Sequence, residues 1–140
     1  MFGTVGKLRL LVVDDDESMA QLIGKTLGKE FAATHQVTIA TEGALVWGLA
    51  AKGEVDVCVT DMDMPNINGF RLLKELKQIN PLTQVIFLTA HPTIDAARSA
   101  VTMGADDFLP KPVNLRNLSS SVAYSSTRIR RWQSELIAGE

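Results

Sequence analysis

The chain has 140 residues, of which 46% are hydrophobic and 21% charged, the size and balance of one soluble globular domain. Its formal charge of -2, with no long block of like charge, gives no electrostatic footprint for nucleic acid or an anionic membrane. A single cysteine, Cys58, excludes an intramolecular disulfide; no apolar stretch approaches a membrane span, and the N-terminus lacks a signal-peptide pattern, so a cytoplasmic location is expected.

Short β-branched runs alternate with stretches of helical period along most of the chain. Residues 8–13 form an apolar run broken only by Arg9, which predicts a buried strand. Met19, Leu22, Ile23 and Leu27 then recur at helical spacing. Residues 37–40 predict a second, weaker strand, and residues 44–51 a short helix with Gly53 as a stop. A third strand is predicted over 55–60. Phe70, Leu73 and Leu76 mark the next helix, which Pro81 closes. Residues 85–89 predict a fourth strand. Ile94, Ala97 and Val101 mark a fourth helix, with Thr93 as its N-cap and Gly104 as its stop. Residues 107–109 predict a short fifth strand, and Asn114 can cap a final helix.

Such alternation implies an α/β fold, a parallel sheet with helices on both faces. The strands lack clean polar alternation, as expected when both faces are covered. In sheets of this kind a ligand site lies beyond the carboxyl ends of the strands. The residues there are Asp14, Asp15 and Asp16 after the first strand, Asp61 and Asp63 after the third, Thr89 and Ala90 at the fourth, and Lys111 and Pro112 after the fifth. Clustered carboxylates repel one another unless a cation is present. An all-oxygen set without His or Cys suits Mg²⁺. A carboxylate can attack phosphorus and form an acyl phosphate, while ammonium and metal charge stabilise the transferring oxygens.

Val12, Val13, Asp14 and Asp15; Asp61, Met62, Asp63, Met64 and Pro65 followed by Gly69; Thr89 and Ala90; Gly104 and Ala105; and Lys111 and Pro112 occur in an order and spacing that resemble the bacterial response-regulator receiver domain. Any one piece alone is weak, whereas the full set is highly specific. The resemblance covers roughly residues 7–124. It implies a doubly wound, flavodoxin-like (βα)5 fold with strand order 2-1-3-4-5. It implies a switch in a two-component phosphorelay, which accepts a phosphoryl group from a histidine kinase or phosphotransfer protein. Asp61 would be the phosphoacceptor. Asp15 would bind Mg²⁺ directly, Asp14 largely through water, and the Asp63 backbone carbonyl would complete the protein ligands with Asp61. Thr89 would hydrogen-bond the phosphoryl group and move toward it, Lys111 would pair with a phosphoryl oxygen, and Pro112 would hold a cis bond. Phe108 falls where the family often has a switching Tyr, and it lacks that residue's hydroxyl. Asp63 and His91 fall at positions that resemble gates over the acyl-phosphate lifetime. Such a protein catalyses its own phosphorylation and dephosphorylation without being a conventional turnover enzyme.

Blander readings stand beside these. Acidic residues after a strand are commonly a solvated helix N-terminus, and Asp16 keeps that reading as a cap. His91 is more often a solvated loop residue, Cys58 an inert buried one, Met62 and Met64 packing residues, and Trp47 a partly buried helix residue. Two other functions compete. Asp61 and Asp63 also fit the nucleophile motif of haloacid-dehalogenase-like phosphatases, although that family places its nucleophile on the first strand. A degenerate receiver acting only as a binding module is disfavoured by the presence of Asp14, Asp15, Asp61, Thr89 and Lys111 together.

Residues 1–6 are read as an N-terminal extension, 7–124 as the receiver, and 125–140 as a helical extension or linker toward an output domain. Leu115, Leu118, Val122, Ser125, Ile129, Trp132 and Leu136 follow a three-four spacing. That pattern fits a dimeric helix or an amphipathic helix packed on its own sheet. Homodimerisation through the C-terminal helix, or through the face of the fourth helix, fifth strand and fifth helix, follows as an expectation. No direct nucleic-acid or membrane contact is expected: Arg128, Arg130 and Arg131 read as a solvated face, and no DNA-reading unit is present.

Overall fold

The computed structural model describes residues 6–138, with side chains through residue 135. Five strands alternate with five helices: β1 (Leu8–Val13), α1 (Glu17–Glu30), β2 (His35–Ala40), α2 (Gly43–Lys52), β3 (Val57–Asp61), α3 (Gly69–Ile79), β4 (Gln84–Thr89), α4 (Ile94–Met103), β5 (Asp107–Pro110) and α5 (Leu115–Ala138). The strands form one sheet in the order β2-β1-β3-β4-β5, every pair parallel. The expected doubly wound order is therefore the observed one. Boundaries differ by a residue or two: β2 starts at His35, and β3 starts at Val57 and includes Asp61.

β1 explains why the strands read as unbroken apolar runs. Successive side chains point to opposite faces of a sheet. Leu8, Leu10 and Val12 join Val57, Val59, Ile86 and Leu88 on one face, packed by Ile23 and Leu27 of α1 and Leu118, Val122 and Ile129 of α5. Leu11 and Val13 join Cys58, Val85 and Phe87 on the other, covered by Val46, Leu72, Leu73, Leu76 and Ala100. Each fully buried Leu or Ile contributes about 1.5–3 kcal/mol of hydrophobic transfer energy.

The caps sit where the sequence puts them. Asp16 accepts a hydrogen bond from the Met19 amide at 3.2 Å, so it caps α1. Thr93 accepts from the Ala96 amide and caps α4, and Asn114 accepts from the Asn117 amide at the start of α5. Gly53 and Gly104 end α2 and α4 at φ of 68° and 100°, left-handed conformations that a Cβ would penalise.

Two helices depart from the simplest reading of their periodicity. The Ile94, Ala97 and Val101 stripe does mark α4, but it faces outward: Ile94 is 72% and Val101 69% exposed, while Ala100 supplies the buried contact. Residues 125–129, assigned to the extension, stay on the domain body: Ser125, Ser126 and Ile129 are buried. The Arg130 guanidinium donates to the Gly6 carbonyl at 2.7 Å, and the Ser126 hydroxyl pairs with the His35 ring at 2.7 Å. The three-four positions from Leu118 to Ile129 are therefore filled by the chain's own sheet. Leu136 and residues 1–5 lie outside the described side chains and residues. No helix among the described residues is long and apolar enough to cross a membrane.

Candidate functional site

Because every strand is parallel, the carboxyl ends of β1, β3, β4 and β5 meet at one edge. β1 runs directly into Asp14, β3 ends on Asp61, β4 ends on Thr89, and Lys111 follows β5. The Lys111 amide donates to the Thr89 carbonyl at 2.7 Å, and the peptide bond that follows, to Pro112, is cis. Gly69 opens α3 hard against this edge. A Cβ there would come within 3.1 Å of the Phe87 ring and 3.5 Å of the Asp61 carbonyl, so the small residue permits the close approach.

Asp14 and Asp61 are buried and Asp15 is exposed, and one carboxylate oxygen from each lies within 4.8 Å of the others. The Lys111 ammonium donates to Asp61 Oδ2 at 2.9 Å and lies 3.4 Å from Asp14 Oδ2. The Asp16 amide donates to Asp14 Oδ1, and the Asp63 amide to Asp61 Oδ1, each at 2.9 Å. Burial pushes the Asp14 carboxyl above its ordinary range, and the nearby Asp61 adds to it; the Asp16 amide and Lys111 oppose without cancelling the shift. Burial works against the Lys111 charge, but its hydrogen bond to Asp61 and the charges of Asp14 and Asp61 outweigh it and raise the lysine. One ammonium therefore serves two buried carboxylates, with a third beside them.

A second group adjoins the first. The Thr89 hydroxyl donates to Asp63 Oδ2 at 2.8 Å, and the Ala90 amide donates to the same oxygen at 2.9 Å. The His91 amide donates back to Thr89 Oγ1 at 3.0 Å, and His91 Nδ1 lies 3.7 Å from Asp63 Oδ2. Burial would raise the Asp63 carboxyl, but the Thr89 hydroxyl, the Ala90 amide and His91 hold it below its ordinary range. Thr89 itself is fully buried.

Three carboxylates with oxygen donors only, one of them buried with its charge resisted, fit a small hard divalent cation. The family model of the response regulator receiver domain matches residues 10–123. This chain belongs to that family. Over 124 residues it is 37% identical to the DNA-binding transcriptional regulator NtrC of Escherichia coli K12, covering 89% of this chain and 25% of the relative. The chain thus spans about a quarter of the length of the curated relatives it matches. A response regulator receiver domain from Clostridium thermocellum superposes with a TM-score of 0.74 at 33% identity, covering 88% of this chain and 97% of that one. A response regulator from Burkholderia pseudomallei, solved with a phosphorylated aspartic acid, a calcium ion and citrate, superposes at a TM-score of 0.73 and 25% identity, covering 95% and 72%. The chain thus carries a receiver domain, the phosphorylation-dependent switch unit of two-component signalling.

In this receiver the structure brings Asp14, Asp15, Asp61 and Lys111 into one cluster. Thr89 stands beside it, its hydroxyl on Asp63. Phe108 is half-buried in β5 and packs against the core under α3 and α4. The His91 side chain is 79% exposed. Cys58 is fully buried and its thiol is pushed up to about 12 by burial, as suits an inert residue. Trp47 is half-buried with the Arg71 guanidinium 4.5 Å over its ring. The sequence reading missed the Ala90 amide as a site donor, since a backbone N–H carries no side-chain signal. It also missed that Asp63 and Thr89 would pair; the signal available was their two strand-end positions on neighbouring strands.

Proposed function

We propose that Asp61 accepts a phosphoryl group from a phosphohistidine on a sensor kinase or histidine phosphotransfer protein. The observation that carries this is the Lys111 ammonium 2.9 Å from Asp61 Oδ2, with Asp14 and Asp15 close by. An Asp61 oxygen attacks phosphorus, the O–P bond forms, and the P–N bond breaks with its electron pair leaving on the imidazole, which takes a proton. Lys111 neutralises charge building on a phosphoryl oxygen, and Thr89 and the Ala90 amide can donate to another. Asp15 would hold Mg²⁺ directly, Asp14 largely through water, with Asp61 and the Asp63 carbonyl completing the set. When bound, that ion supplies positive charge opposite the transferring oxygens. Attack of water on phosphorus later releases inorganic phosphate and restores the Asp61 carboxylate. Asp63 and His91 are proposed to tune that lifetime.

The output surface is proposed to be α4, β5 and α5, with Thr89 and Phe108 relaying the change. The exposed Ile94 and Val101 on α4 support a contact face there, including one for a second copy. NtrC is a DNA-binding transcriptional regulator, and control of transcription by a partner output unit is the corresponding proposal here. A cytoplasmic location goes with these partners. Family membership weighs against a haloacid-dehalogenase-like phosphatase, and the complete acidic site against a purely binding receiver.

Intact mass after exposure to acetyl phosphate and Mg²⁺ tests the reading. The protein should gain one phosphoryl group and Asp61→Asn none. No gain in the wild type would leave the binding-only receiver as the better description.

A further inference from the structure

Resting on the phosphoacceptor reading above, we propose that the Asp63 carboxylate is a built-in competitor of the phosphoryl group, occupying in the resting protein the donor pair that a phosphoryl oxygen on Asp61 would use. Asp63 Oδ2 receives both the Thr89 hydroxyl at 2.8 Å and the Ala90 amide at 2.9 Å. Two donors converging on one anionic oxygen form an oxyanion position, and here a side chain of the protein fills it. A threonine hydroxyl has a single proton to donate. That proton is committed to Asp63, and the His91 amide at 3.0 Å occupies an acceptor position of the same oxygen. Thr89 therefore cannot donate to a phosphoryl oxygen until it lets go of Asp63.

The competitor is also placed at the acceptor. The Asp63 amide donates to Asp61 Oδ1 at 2.9 Å, so the carboxylate is carried on the residue that touches the acceptor itself. Its release needs no opening of the core, because the Asp63 side chain is 33% exposed and can hydrate as it turns away; the cost lies in the two hydrogen bonds it gives up. Phosphorylation is then an exchange of anions on fixed donors: the Thr89 O–H and Ala90 N–H pass from carboxylate to phosphoryl oxygen, and Asp63 goes to solvent. Asp63 is in this sense a positioning residue that sets the threshold of the switch.

Beryllofluoride, an anionic mimic of the phosphoryl group, measures this at equilibrium when titrated with Mg²⁺. Asp63→Ala should bind it roughly tenfold more tightly than wild type, the scale of one hydrogen bond to a charged group. Asp63→Asn keeps a neutral acceptor and should gain less. In a Thr89→Val background the gain from Asp63→Ala should shrink to the part carried by the Ala90 amide, whereas a general effect of removing one negative charge would persist there in full. Equal or weaker binding by both Asp63 variants overturns the inference, as does a gain that survives Thr89→Val in full. Wild type that neither binds beryllofluoride nor takes mass from acetyl phosphate overturns the phosphoacceptor reading and this inference with it. Wild type that does both, beside variants that bind no tighter, overturns this inference alone.

Discussion

His35 starts β2 at the sheet edge opposite the acidic cluster, and its ring is held from both sides. Nδ1 lies 2.7 Å from the Thr34 hydroxyl and Nε2 2.7 Å from the Ser126 hydroxyl. Ser126 donates to the Val122 carbonyl, so it accepts from Nε2–H, and the neutral ring fits without strain. Burial lowers the His35 pKa from 6.5, Arg130 lowers it further, and Asp56 offsets part of this. Above pH 6.5 the folded and unfolded chains both carry a neutral ring, and stability is complete. Below it the unfolded chain binds a proton that the folded chain resists, so stability falls with pH until the lowered folded pKa is reached. Urea melts between pH 7.5 and 5.5 should show that decline, and it should be shallower in His35→Gln. An equal slope in the variant would place the titration elsewhere. Legibility at this scale follows chemistry. Asp14, Asp15, Asp61, Thr89 and Lys111 were readable because the side-chain type and the strand-end position are both written in sequence. The Ala90 amide, the His35–Ser126 pair and the Asp63–Thr89 pair were not, because each depends on which backbone or distant residue folding brings near.

At the scale of elements, α4 and α5 separate periodicity from direction. Both carry apolar residues at helical spacing, which correctly identifies helices. Spacing does not say which surface the stripe meets. On α4 the larger residues face out and Ala100 faces in. On α5 the stripe meets the sheet as far as Ile129, which is 2% exposed among residues of β1, β3 and β4. A heptad reading and a self-packing reading share one sequence pattern, and only the tertiary contact distinguishes them. Ile129→Ala should therefore cost about 2–4 kcal/mol of unfolding free energy in urea, the price of a buried cavity. A loss below about 0.5 kcal/mol, ordinary for a surface position, would mean that this turn of α5 is free of the body.

At the scale of the whole molecule, the site belongs to the sheet rather than to any one segment. Asp14 and Lys111 are 97 positions apart in the sequence, yet stand 3.4 Å apart because β1 and β5 run the same way with β3 and β4 between them. Strand alternation made the parallel sheet legible, and parallelism made the convergence legible; the strand order itself was readable only through the family resemblance. The most direct test of that convergence is chemical. Borohydride reduction of the protein after acetyl phosphate and Mg²⁺ converts an aspartyl phosphate to homoserine, which peptide mass mapping locates. Homoserine at position 61 alone is the predicted result. Homoserine at 14, 15 or 63, or none in protein that has gained the phosphoryl mass, would contradict the assignment of Asp61 as acceptor.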